Sequence, residues 1–187
     1  LDRSSAASDV YKRQEKLAED SAEAAETIAR AQARIDRLMS VRGENPHGPA
    51  HYHRQLGDIL YWGCGVARNI EDLKVAIDKI RSLRKDFWAN VRITGDANDM
   101  NQVLEYGLRV ADYIDLGELM CIDALDRDES CGAHFREDHL TEDGEAERDD
   151  DNWCFVSAWE PGAAEGEFIR HAEPLYFDSI PLMTRNY

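Results

Sequence analysis

From Glu15 to Leu125 apolar residues recur at three- and four-residue intervals, the rhythm of amphipathic helices. Leu17, Ala24, Ile28, Ala31, Ile35 and Leu38 predict a first helix with a narrow apolar edge over 15–39. Two glycines and two prolines in 43–49 break it. Tyr52, Leu56, Ile59 and Leu60 predict a short second helix ending at Gly63-Cys64-Gly65. Asn69 reads as an N-cap, with Glu71 and Asp72 in the first turn and Asp72 at the capping-box position. Behind it run Ile70, Leu73, Ala76, Ile77, Ile80, Leu83 and Phe87, and Arg81, Arg84 and Lys85 are expected to complement the dipole of the last turns. After Gly95-Asp96, Asn98 is the expected cap of a fourth helix carrying Met100, Leu104, Gly107, Leu108, Ala111, Ile114, Glu118, Ile122 and Leu125.

Three helices with short connections between residues 50 and 126 favour antiparallel neighbours. The rhythm then stops. From Asp126 through Asp151 there are twelve acids and three arginines, which predicts a surface loop. Beyond it, Trp153, Phe155 and Trp159 alternate as on a strand, Glu160-Pro161-Gly162 turns, and 167–171 returns as a hairpin partner, with a last short strand at 175–177. The expected fold is mainly α: an antiparallel three-helix bundle of the spectrin-repeat kind, preceded by a helix and followed by an acidic loop and a short β-hairpin or strand tail. The segments are 1–14, 15–49 (helix and linker), 50–138 (helical bundle) and 139–187 (acidic loop and β-rich tail). Residues 1–14 resemble translated adapter sequence and are set aside as non-native.

The balance of 22 basic against 38 acidic residues, a net charge of −16, repels phosphate backbones and anionic headgroups, so no nucleic-acid partner is expected. No run approaches the eighteen or so apolar residues of a spanning helix. Cys64, Cys121, Cys131 and Cys154 lie too far apart in sequence for a metal-ligand motif, and His51 and His53 point to different sides of a helix, so no metal is expected.

The stretch from Arg127 to Trp153 mixes acids, arginines and a histidine. As chemistry, His134, Arg136, Glu129 and Asp138 could form an acid/base group with Cys131 as nucleophile, yet Cys131 has no identified base and its acidic surroundings disfavour the thiolate. As structure, Arg127, Arg136 and Arg148 among acids read as a charge network tying the loop to the helices or to a neighbouring domain, and Gly132 permits a positive φ. The four tryptophans read as core or interface aromatics. Gly63-Cys64-Gly65 lacks the third glycine of a dinucleotide turn.

Three motifs occur in order: Arg127-x-Glu129-Ser130-x-Gly132-Ala133-His134-x-Arg136-x-Asp138, then Arg148-Asp149-Asp150-x-Asn152-Trp153, then Thr184-Arg185-x-Tyr187. With Ile35-Asp36-Arg37-Leu38, Leu56-Gly57 and Gly65-Val66-x-Arg68 upstream, the chain resembles the C-terminal domain of the flavoprotein subunit of succinate dehydrogenase and fumarate reductase, from about residue 18 to 187. Cys131 stands where many members have arginine, and the acidic loop is extended. The resemblance implies an oxidoreductase that interconverts succinate and fumarate, coupled to quinone. It places FAD and the catalytic residues in an upstream flavin domain missing here, from which the helix and linker of 15–49 come, so this fragment has no catalytic or FAD-binding residues and is not expected to be active alone. Arg127, Glu129, His134, Arg136, Arg148 and Asp149 become candidates for docking that domain. The implied partners are the missing flavin domain, an iron–sulfur subunit and, indirectly, a membrane-anchor cytochrome subunit; the implied location is cytoplasmic, peripheral on the inner face of the cell membrane. L-aspartate oxidase, whose C-terminal domain carries a similar segment, and a free-standing acidic helical adaptor are the alternatives.

Overall fold

A computed structural model describes residue 18, residues 20–163 and residues 166–183. The proposed adapter, Leu17 and the Thr184–Tyr187 motif lie outside the described residues. The described chain is mainly α, in the order α1 (Ala22–Ser40), α2 (Pro49–Gly63), β1 (Ala67–Arg68), α3 (Ile70–Asn90), α4 (Gln102–Asp126), β2 (Phe135–Arg136), α5 (Asp150–Trp153), β3 (Phe155–Pro161) and β4 (Phe168–Pro174).

The core lies between α2, α3 and α4. Tyr52, Leu73, Ile80, Phe87, Val110 and Ile114 are almost fully buried there, each apolar side chain removed from water contributing about 1.5–3 kcal/mol. Tyr52 meets Phe87 edge-on at 5.2 Å, while a Cβ on Gly63 would meet Ala76 Cβ at 2.5 Å, so α2 and α3 run antiparallel. Arg81 pairs with Glu118 and Arg84 with Asp115, which sets α3 antiparallel to α4 as well.

The helix ends show where local rules were decisive. Asn69 Oδ1 accepts the Asp72 amide at 2.9 Å as expected; the Asp72 carboxylate, however, takes the Asn69 side-chain amide, not its backbone amide. Asn98 does not cap α4. It closes a turn on Asp96, and Asn101 is the cap, accepting from Val103 and Leu104 while its Nδ2 donates to the Thr94 and Asp96 carbonyls. Asn101 can satisfy two amides and two carbonyls at once, whereas Asn98 lies a turn too early, and Met100 stands exposed outside the core. Since α3 continues to Asn90, Arg81, Arg84 and Lys85 are not in its last turn; two of them reach across to acids of α4.

α1 starts later than expected, capped by Ser21 Oγ on the Ala24 amide. Only its C-terminal end is packed: Leu38 is buried, while Ile28 is 66% exposed. β3 and β4 form the expected antiparallel hairpin, from Phe155↔Pro174 to Pro161↔Phe168, with Phe155, Ser157 and Trp159 on the covered side. Trp153 belongs to α5 instead of the strand, and 175–177 forms no strand. No described helix is long and apolar enough to cross a membrane.

The charged junction at the end of the long helix

The segment after α4 is not a surface loop throughout. Glu129, Ser130 and Arg136 are buried, because β2 pairs in parallel with β1, Ala67↔Phe135 and Arg68↔Arg136, and draws the segment beneath the helix end. Arg136 is fully buried. Its Nε and Nη2 form a fork on Asp138 at 2.8 and 2.6 Å, and its Nη1 donates to the carbonyls of Ala124, Leu125 and Arg127 at 3.2–3.4 Å. One guanidinium therefore satisfies the last carbonyls of α4 and places a cation at the negative end of its dipole. The Asp138 carboxyl is held below its usual range by that hydrogen-bonded fork.

Ser130 clamps the same arginine's backbone: Oγ accepts from the Arg136 amide at 2.8 Å and donates to its carbonyl at 3.2 Å. Arg127, the C-cap of α4, bonds Glu129 Oε1 through Nε at 2.9 Å and the Trp153 carbonyl through Nη2 at 3.0 Å. The other oxygen of Glu129 accepts the Asp149 amide at 2.9 Å, and Asp149 in turn caps α5 by accepting from Asn152. Arg148 forks onto Asp150 and stays half-buried, with a long contact to the Met183 carbonyl. Gly132, at φ 61°, turns the tight loop in which Cys131 and His134 exchange backbone hydrogen bonds.

Both ring nitrogens of His134 are committed. Nδ1 lies 2.8 Å from Arg68 Nη1 and Nε2 lies 3.0 Å from the Arg127 carbonyl, so the neutral ring accepts at Nδ1 and donates at Nε2. Burial pushes its pKa down, and the cations of Arg68, Arg136 and Arg127 push the same way against the carbonyl of Arg127. An imidazole locked in this state is a strut. Cys131 is exposed and exchanges backbone hydrogen bonds with His134, whose two ring nitrogens face Arg68 and the Arg127 carbonyl, while Arg136 and Glu129 are engaged internally.

Asp128, Asp138 and His139 bring potential ligand atoms within 4.8 Å of one another, a trio the sequence reading did not single out. Arg136 already faces both carboxylates. A buried thiol pair was also missed. The Cys64 thiol is drawn down to about 7 by its hydrogen bond with Cys121, against burial, and Cys121 is pushed up. Widely separated positions in sequence gave no signal for it. The hairpin is fastened to α4 by Trp159 Nε1 on Asp123 at 2.7 Å and by Arg170 on Asp126 at 3.2 Å. Trp62, in contrast, is 77% exposed and no core residue.

A mainly helical domain whose last long helix is closed by a buried arginine and fastened to a β-hairpin is the class these contacts define. Residues 53–187 match the family described as "Fumarate reductase flavoprotein C-term", and the chain belongs to that family. It is 32% identical over 119 residues to a fumarate reductase flavoprotein subunit of Proteus vulgaris, covering 64% of this chain and 19% of the relative. The Escherichia coli subunit of the same name is 35% identical over 99 residues, 53% of this chain and 16% of the relative, and a Bacillus subtilis succinate dehydrogenase flavoprotein subunit is 28% identical over 101 residues, 54% and 16%. A quinol-fumarate reductase structure with menaquinol molecules superposes at a TM-score of 0.72 and 28% identity over 87% of this chain and 27% of that one. An E. coli quinol fumarate reductase chain gives 0.71 and 28%, over 86% and 26%. The chain thus spans about a fifth of the length of the curated relatives it matches.

The flavin named by these relatives can be tested against the residues present. β1 does lead into α3, as a strand leads into a helix in a dinucleotide cradle. The turn is Arg68-Asn69 without glycine, however, and the Asp72 amide of the first turn is already taken by the Asn69 side chain. That strand-to-helix turn does not fit a dinucleotide cradle.

Proposed function

We propose that this chain is the C-terminal helical domain of an FAD-containing subunit that interconverts succinate and fumarate, coupled to quinone, with the flavin and the reacting groups held in an upstream domain. The observation that carries the reading is the combined match: the family covers 53–187, and the same fold occupies about a quarter of the length of fumarate reductase chains. The domain's role is structural. It stiffens the flavin domain and extends the surface offered to an iron–sulfur subunit, and through that subunit to a membrane-anchor cytochrome at the inner face of the cell membrane.

The exposed apolar edge of α1 at Ile28 and the exposed Tyr61-Trp62 pair of α2 support an interdomain or intersubunit role, because large apolar groups in water contribute nothing to this chain alone. Among the docking candidates, Arg136, Glu129 and His134 act by fixing the junction's shape from within. Arg127, Arg148 and Asp149 stand nearer its rim. The segment boundaries at 49/50 and 138/139 belong to the same proposal.

Two measurements test it. The purified 187-residue chain is expected to be colourless, and flavin absorbance surviving desalting would contradict the placement of FAD upstream. Contiguous genomic sequence upstream is expected to encode a Gly-x-Gly-x-x-Gly strand–turn–helix unit. An in-frame start codon near residue 15 without such a unit would sink the proposal in favour of a free-standing adaptor.

A further inference from the structure

Cys64 closes α2 and Cys121 lies within α4, yet folding brings their thiols into hydrogen-bond contact. The Cys64 Sγ also lies 3.8 Å from the carbonyl oxygen of Met120, the residue before Cys121, so it rests against that turn of α4. Cys121 is fully buried, whereas Cys64 keeps 7% of its surface where α2 stops, two residues before the exposed Val66. Arg68 fastens the loop that carries Cys64, donating from Nε to the Gly65 carbonyl at 2.7 Å. Its cation acts on both thiols. The Cys64 thiol is drawn down to about 7 by its hydrogen bond with Cys121, against burial; Arg68 adds to the pull and Asp123 opposes it.

A cysteine becomes nucleophilic where a cation favours its thiolate and solvent reaches it, and a second thiol in contact resolves the oxidised product. We propose that Cys64 and Cys121 form a redox-active pair that hydrogen peroxide closes to a disulfide joining the end of α2 to α4. The Cys64 thiolate attacks one peroxide oxygen, the O–O bond breaks, and Cys64 becomes a sulfenic acid; the departing hydroxide takes up the proton that Cys64 had released and becomes water. The Cys121 sulfur then attacks the Cys64 sulfur, the S–OH bond breaks, and the hydroxide leaves as water with the Cys121 proton. Each sulfur gives up one electron, and peroxide gains the two. A small oxidant suits the site because so little of Cys64 is exposed. The crosslink holds the loop of Arg68, whose Nη1 lies 2.8 Å from His134 Nδ1, and so ties the oxidation state of the pair to the junction. The inference does not rest on the family reading.

The 187-residue chain carrying Cys131→Ser and Cys154→Ser, which removes the other two thiols, tests it. One equivalent of hydrogen peroxide in native buffer is expected to take the thiol count, read after denaturation, from two to none. The monomer should lose the mass of two hydrogens, and its peptide map should link Cys64 to Cys121. Dithiothreitol is expected to restore both thiols, and the map of the wild-type chain should carry the same link. In urea the link should form more slowly, since only the folded chain holds the two sulfurs together. Two thiols persisting in native buffer, oxygen added to either sulfur without a link inside the chain, or a link formed as fast in urea as in native buffer overturns the proposal.

Discussion

Truncating Arg136 would uncover a carboxylate and three helix-end carbonyls together, since one guanidinium serves Asp138 and the last turn of α4. Arg136→Ala is expected to lower stability by about 3–5 kcal/mol, the loss typical of breaking a buried charge pair, read from urea unfolding. Arg136→Lys keeps the charge but not the fork and should recover only part of it. His134 gives a pH signature. Folded, it is held neutral with its pKa below the ordinary 6.5; unfolded, it takes a proton near that value. Protonation therefore favours the unfolded chain, and the contribution is complete above about 6.5 and declines as pH falls below it. His134→Gln should lose less stability than wild type between about pH 7.5 and about pH 5.5, by urea midpoints; equal losses would show that His134 is not the group responsible. The residue types of this cluster were readable in sequence. Their burial was not, because a tract of twelve acids looks solvated until the β1–β2 pairing draws three of its polar residues inside.

Among the elements, α3 and α4 were legible because their stripes are long and both carry asparagine near the start. Which asparagine caps α4 depended on carbonyls seven and five residues earlier in the chain, which periodicity does not see. Asn69→Ala is expected to cost about 1 kcal/mol, as for an ordinary N-cap. Asn101→Ala should cost more, since two carbonyls lose a donor as well; thermal unfolding of the two variants ranks them. Gly63 sits where α2 meets α3. Alanine there improves helix propensity, yet its methyl would face Ala76 Cβ at 2.5 Å and the Asp72 carbonyl at 3.2 Å. Overpacking of about 1–3 kcal/mol should outweigh the propensity gain, and a higher melting temperature for Gly63→Ala would contradict that packing.

At the scale of the whole molecule, the helical bundle and the β-rich end are coupled. A chain cut after Asp138 keeps the apolar core of α2, α3 and α4 but deprives Glu129 of the Asp149 amide, Asp123 of Trp159 and Asp126 of Arg170. Its helical circular dichroism should persist while its unfolding midpoint falls; an unchanged midpoint would make the tail energetically independent. Sequence alone determined the helices, the hairpin and the order of the motifs, because apolar periodicity and turn chemistry act over a few residues. Only the tertiary structure decided that Arg136 closes α4 and that His134 is a neutral strut. Those outcomes depend on groups far apart in the chain, and their protonation and pairing are set by burial, which exists only once the helices have packed.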